Sequence, residues 1–427
     1  MKKTQITRRG FTKAMGYGSL AALGRPMLSA STLEAVQKTD TMRIIKVDAV
    51  RFSDKIKIGG GSGGSGAAEF CWVRLHTDSG IIGTGETYPF ASGELGTLRD
   101  YTKQLIGRDP RDIDGIWQRF YHAMAMRNAG GADMRILSAI NMAQMDILGK
   151  ASGLPLYRLI GGKTRASVKV YNTTTDYWAI NNMKMGTDTE KIVNFLLDRG
   201  ITAIKIYPFS ARGPHITTAE IESGLDWIRQ IRNTAGEKMD ICVDCWGRFD
   251  LPGAQRIARA LEPFSILYLE DVMLMNNAQS YAVLARETSV PVCMSETLAT
   301  RYEFREFLEY KACDVIMYDL SWCGGITEAK KISDMADTYF IPTSPHTCGG
   351  PLLWFASIHL TTALPNFMIM ESNYWKYTHQ YPYFINNVPV PENGYVKAPE
   401  GPGLGAEIRP EIFKNGDAIV ETVAQAM

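Results

Sequence analysis

The chain has 427 residues, 45% of them hydrophobic and 21% charged, with a formal net charge of +1. That length buries a large core, and the composition is that of a soluble globular protein. A near-neutral balance excludes the electrostatic footprint of a nucleic-acid or anionic-membrane binder. The seven cysteines are odd in number and sit mostly in apolar runs, so they read as buried thiols rather than a disulfide framework. Cys242-x-x-Cys245 matches redox and zinc spacing, but it lies inside a strand and has no second pair.

The N-terminus reads Thr7-Arg8-Arg9-Gly10-Phe11-Thr12-Lys13, followed by a modestly apolar stretch from Ala14 to Leu28 and small residues at 29–31. It resembles a twin-arginine export signal and is too short and glycine-rich for a permanent membrane span. The expected address is the periplasm, with residues 1–40 a signal segment outside the fold.

From Met42 the runs RIIKVDAVRF and FCWVRLHTDSG alternate as strands, and Asp78-Ser79-Gly80 marks a hairpin turn. Between them lies IGGGSGGSGAA, residues 58–68, either an inert linker or a loop over an active site; its place inside a hairpin favours the loop. Residues 97–160 carry helical spacing, ended by Gly153 and Pro155. From Ser167 strand and helix patterns alternate. The candidate strands are SVKVY, AIKIY, ICVDC, ILYLE, PVCMSE, DVIMYD, IPTSPH and FMIMES. Eight such units predict an α/β protein built on a (β/α)₈ TIM-type barrel, whose functional groups stand at the C-terminal strand ends. The tail after Asn373 is expected to return to the N-terminal domain.

Strands three to five end in Asp244, Glu270 and Glu296, at equal intervals of one strand plus one helix. Three carboxylates on one rim repel each other unless a divalent cation lies among them, and all-oxygen ligation suits Mg²⁺. An acid after a strand is often only a helix cap, but three in equal succession point to a metal. The other strands end in Lys205 and Tyr207, Asp319, His346 and Glu371. Asp319 and His346 fall on adjacent strands. An aspartate on one imidazole nitrogen fixes the tautomer and raises the basicity of the other, which makes His346 a candidate general base; the plainer reading is a cap on a helix starting near Gly350. Lys205 is either a desolvated base or a fixed cation for a substrate carboxylate. Tyr207 is a poor base and a better hydrogen-bond donor. A cation on a substrate carboxylate beside one base is the equipment for abstracting an α-proton through an enediolate.

With these residues placed, the chain resembles the enolase superfamily, in the mandelate racemase subgroup. The likeness rests on the acid triad, GTGE at 83–86, MDILGKASGLPLYRLIGG at 145–162, DLSWCGGITEAKKI at 319–332, PHTCGGP at 345–351 and GYVKAPEGPGLG at 394–405. It implies a modified barrel, (β/α)₇β, over residues 166–372, capped by an α+β domain from residues 42–165 and 373–427. It also implies one Mg²⁺ per subunit on Asp244, Glu270 and Glu296, the His346–Asp319 base dyad, Glu371 near the substrate carboxylate, and a homo-oligomer. Two positions depart from relatives that act from both faces or carry a separate acid: Tyr207 stands where they have a second lysine, and Trp246 where some acid-sugar dehydratases have histidine. The Asp-Cys-Trp run instead resembles rhamnonate-type dehydratases.

The expected activity is a Mg²⁺-dependent acid-sugar dehydratase in which His346 takes the α-proton and returns it to a leaving β-hydroxyl. The alternatives are a cycloisomerase opening an anhydrosugar or lactone acid of the 3,6-anhydrogalactonate type, then a racemase or epimerase, and outside catalysis an exported sugar-acid-binding protein. Specificity is expected from the loops at 52–68 and 88–95 and from Trp246, Trp322 and Trp375.

Overall fold

The computed structural model describes residues 41–427 apart from 54–55, 57–67, 69, 89–92, 126–129, 175–179, 181–182 and 210–212. The basic segment read as an export signal lies outside the described residues, as does the glycine-rich run at 58–67.

Strands β1 (Ile44–Phe52), β2 (Cys71–Thr77) and β3 (Ile82–Thr87) form an antiparallel meander. The β2–β3 turn uses Gly80 at φ 83°, a left-handed conformation that glycine adopts without a Cβ clash. The C-terminal strand Ala418–Gln425 pairs antiparallel with β1 and completes a four-stranded sheet. The stretch with helical spacing resolves into helices Gly93–Tyr101, Ile113–Ala125, Gly131–Ser152 and Leu156–Leu159. The third of these lies directly on β3. A Cβ at Gly83 would sit 2.1 Å from the Ala143 carbonyl oxygen, and one at Gly85 1.9 Å from that of Ala139. The two glycines of the GTGE run are therefore what lets strand and helix touch.

The second layer is a ring of parallel strands: β4 (Val168–Thr173), β5 (Ala203–Ile206), β6 (Asp240–Asp244), β7 (Tyr268–Glu270), β8 (Val292–Met294), β9 (Val315–Ile316) and β10 (Met370–Ser372). Between β9 and β10 the expected seventh strand forms only isolated parallel bridges, Ile316 with Thr343, Asp319 with His346, and Thr343 with Phe367. Pro342 and Pro345 explain the missing ladder, since neither has an N–H to donate. Among the described residues seven helices, from Thr189–Leu197 to Pro351–Ala363, each follow one strand, and only the short helical turns Lys376–Gln380 and Tyr381–Phe384 directly follow β10. The barrel is thus of the (β/α)₇β type.

Inside the ring, Tyr171, Ala203, Cys242, Tyr268, Cys293, Val315 and Ile369 form one packed layer. Because side chains alternate along a strand, the residue two positions on faces the interior one layer higher. Those residues are Thr173, Lys205, Asp244, Glu270 and Ser295, with Glu371 on β10. Six of the seven cysteines are buried and Cys348 is half-buried. Cys242 belongs to the barrel interior while Cys245 packs in the larger core outside it, so the two thiols of the Cys-x-x-Cys run serve different cores.

Candidate active site

The rim above that layer gathers seven ionisable side chains. Lys205, fully buried, places Nζ 2.8 Å from Glu270 Oε1, 3.2 Å from Glu371 Oε1 and 3.3 Å from Asp244 Oδ2. Burial alone would push its pKa down, but the Glu270 and Glu371 carboxylates outweigh that and hold it well above the usual lysine range. The surrounding carboxylates thus favour its charged form. Across the ring, His346 Nδ1 lies 2.7 Å from Asp319 Oδ2, and Asp319 Oδ1 accepts the Ser321 N–H at 2.6 Å. With Nδ1 committed, Nε2 is turned toward the other rim carboxylates, 3.0 Å from Glu296 Oε2 and 3.4 Å from Glu371 Oε2. Burial disfavours the imidazolium, yet Glu296 and Glu371 raise the His346 pKa well above its ordinary value.

Glu371 bridges the two halves. It accepts from the Thr173 hydroxyl and from the Thr347 N–H at 2.8 Å. Burial pushes its pKa up, but Lys205 and His346 dominate and bring it to about 2. Asp244 and Glu270 respond the other way. Burial raises both, and the neighbouring carboxylates add to it.

One ligand oxygen each from Asp244, Glu270 and Glu296 lie within 4.8 Å of one another. Glu270 Oε2 is buried and no hydrogen-bond donor reaches it. Asp244 Oδ2, near Lys205, lacks an aligned donor as well. Buried carboxylate oxygens without donors are costly and rare. These two belong to the triad itself, and an oxygen-only donor set of this size fits a hard divalent cation.

The structure brings together all the polar residues that the strand ends single out. Tyr207, half-buried, packs its ring 5.5 Å from Trp246, edge to face. Burial and the nearby Asp244 push its phenol well above the usual tyrosine range, which leaves it unfit as a base. Trp246 sits on the rim with 55% of its surface exposed and φ 56°, and its N–H donates to Asp244 Oδ1 at 2.9 Å. Trp322 is buried and tilted against the His346 ring at 5.5 Å. Trp375 instead stacks on His379.

Several members of the site carried no signal strong enough to single them out. Asp271, next to Glu270, is buried, accepts from Ser295 Oγ at 3.0 Å and is pushed well up by burial and Glu296. Cys348 lies close to His346 and Glu371 and follows the histidine by two residues. An acid doubled at a strand end and a thiol beside the histidine were the available hints.

The fold and rim define an enolase-type barrel enzyme. Residues 45–161 match the mandelate racemase / muconate lactonizing enzyme N-terminal domain, and residues 189–412 match the enolase C-terminal domain-like family. The chain therefore belongs to the mandelate racemase / muconate lactonizing enzyme family of the enolase superfamily. Among its relatives, D-galactonate dehydratase of Variovorax paradoxus is 30% identical over 81% of this chain and 90% of its own length. D-xylonate dehydratase of Haloferax volcanii is 28% identical over 78% and 82% respectively. A crystal structure of an enolase of the mandelate racemase subgroup from Agrobacterium tumefaciens is 34% identical, covering 89% of this chain and 98% of that one, with a TM-score of 0.78. A member of the enolase superfamily from Salmonella Typhimurium aligns at 29% identity over 90% and 100%, with a TM-score of 0.83.

Proposed function

We propose that the chain is a Mg²⁺-dependent dehydratase of sugar acids, exported to the periplasm by its twin-arginine segment. The observation that carries the activity is the His346–Asp319 dyad set directly against the acid triad, with Nε2 3.0 Å from Glu296 Oε2 and a tyrosine where a second base would stand. The relatives named as D-galactonate and D-xylonate dehydratases support the same reading.

Asp244, Glu270 and Glu296 would hold one Mg²⁺, which when bound supplies electrostatic stabilisation for charge developing on a substrate carboxylate. Lys205 supplies a second fixed positive charge on the same rim, and the ionised Glu371 beside it holds that ammonium in place. Asp319 holds Nδ1, so the His346 proton transfers occur at Nε2. The neutral imidazole takes the α-proton, and the electron pair of that C–H bond enters the enediolate. As the enediolate collapses, the β-carbon–oxygen bond breaks and the imidazolium returns its proton to the departing hydroxyl. Water leaves from the same face, and the enol product tautomerises to a 2-keto-3-deoxy acid. One base suffices for this syn elimination.

The test is a panel of sugar acids turned over with Mg²⁺, with the product read by mass and by 2-keto-acid trapping. The expected result is loss of one water, abolished by His346→Asn with Mg²⁺ binding intact. Deuterium exchange with inversion at the α-carbon and no loss of water would overturn the reading in favour of an epimerase. A product isomeric with the substrate would point instead to ring opening of an anhydro or lactone acid.

A further inference from the structure

Two motifs, GTGE at 83–86 and PHTCGGP at 345–351, lie far apart in sequence, and apart from His346 none of their residues has a role in the chemistry above. In the fold they meet. Glu86, at the end of capping strand β3, reaches the first turn of the barrel helix that follows His346. Its Oε2 accepts the Leu352 N–H at 3.1 Å and the Trp72 indole N–H at 3.0 Å, and its Oε1 accepts the Leu353 N–H at 3.2 Å. A buried carboxylate thus satisfies N–H groups that a helix start leaves without intrahelical partners. The fit excludes side chains opposite it: a Cβ at Gly350 would lie 2.5 Å from Glu86 Oε2, and one at Gly349 2.7 Å from a Leu353 methyl carbon.

The neighbouring residues of β3 continue the pattern. The Thr87 hydroxyl donates to the Ser321 carbonyl at 3.1 Å, two residues past Asp319. The Tyr88 hydroxyl donates to the Cys348 carbonyl at 2.7 Å, two residues past His346. From the opposite side the buried Lys376 ammonium donates to the Cys348 and Gly349 carbonyls, and the Tyr381 hydroxyl to Gly349 at 3.0 Å. Carboxylate on N–H groups and ammonium on carbonyls clamp one loop from both ends.

We propose that Glu86, with Thr87 and Tyr88 beside it, is a positioning residue through which the capping domain sets the geometry of the His346–Asp319 dyad. The proposal rests on His346 being the base. It assigns the GTGE run two jobs: glycines seat the strand on the capping helix, and the glutamate fixes the loop that carries the imidazole. Displacing a base by about 1 Å costs on the order of 100-fold in rate without touching the substrate's own contacts. Loss of an outer partner of a working group typically costs about 10–100-fold.

The experiment uses the full chain with Mg²⁺ and the sugar acid that the panel identifies, at pH 8. Glu86→Gln is expected to lower kcat by about 10–100-fold, to leave KM and the Mg²⁺ activation constant within a factor of about two, and to slow α-proton exchange in D₂O in parallel. Tyr88→Phe, which deletes one hydrogen bond, is expected to lower kcat by about 3–10-fold and serves if Glu86→Gln fails to fold. Asp48→Asn is the control. It disrupts a buried capping-domain network with Lys46, His76 and Thr422 that touches neither loop, and it should leave kcat unchanged. Wild-type kcat in both Glu86→Gln and Tyr88→Phe, or an equal loss in Asp48→Asn, overturns the proposal. His346→Asn in the same assay keeps the two ideas apart. If it still turns over, the base assignment fails; if it is dead while Glu86→Gln is fully active, only the positioning role fails.

Discussion

Glu270, Asp244 and His346 share a property that belongs to single residues: each holds its proton more tightly than an isolated side chain would. For the two acids burial and mutual repulsion are the cause, and for the histidine the cause is its pairing with Glu296 and Glu371. A cation entering the triad opposes all three, so protons and Mg²⁺ compete. Affinity for Mg²⁺ should therefore rise with pH across neutrality. Calorimetric titration at pH 7 in buffers of different ionisation enthalpy should show about one or more protons released per ion, and fewer in His346→Asn. Binding without proton release would mean that the carboxylates are already ionised and the His346–Glu296 pairing is not retained in solution. These residues were legible from the strand ends alone because parallel strands deliver their last inward side chains to one rim. The Glu371–Lys205 contact was not legible, since it depends on which of several rim positions face each other across the ring.

At the level of elements, the eight strand candidates and their intervening helices were readable from apolar runs at regular spacing. The one strand that deviates, the segment bridging at Thr343 and His346, does so because of its prolines. Less readable was the helix Pro351–Ala363, in which every residue is buried. Its His359 is an element-level lock. Nε2–H donates to the Leu404 carbonyl at 3.0 Å, and Nδ1 accepts the Tyr157 N–H at 3.3 Å, which ties the helix to two distant segments through the neutral ring. Burial lowers its pKa to about 4. The unfolded chain then takes up this proton first as pH falls, so the stability contribution is complete above about 6.5 and is lost progressively down to about 4. Between pH 7.5 and 5 the loss from this group should be about 2 kcal/mol. Urea denaturation of wild type and His359→Gln at both values checks it: the difference between the two proteins should shrink by that amount at pH 5. A constant difference would mean that His359 is not held neutral by the fold.

The unit formed by residues 42–427 joins segments that are far apart in sequence. β1 pairs antiparallel with the strand Ala418–Gln425. Asp146, midway along the capping helix, accepts the Thr84 N–H at 3.1 Å and the Leu404 N–H at 3.0 Å, so the same helix holds an N-terminal strand and the C-terminal tail. Gly149 and Gly403 meet so closely that a Cβ at the first would lie 2.4 Å from the Cα of the second. None of these contacts could be read from spacing, because they join positions from 62 to several hundred residues apart. Together they mean that the capping domain is assembled from segments on both sides of the barrel in sequence. The Arg8-Arg9 segment resembles a twin-arginine signal, the export route proposed above. Replacing Arg8 and Arg9 together with lysine keeps the charge but removes the paired guanidinium groups. The expected outcome, read by fractionation of the native host, is folded, Mg²⁺-activated enzyme retained in the cytoplasm and a periplasmic yield reduced at least about tenfold, since each lost bidentate site costs on the order of 1–3 kcal/mol. An unchanged periplasmic yield would refute the twin-arginine route.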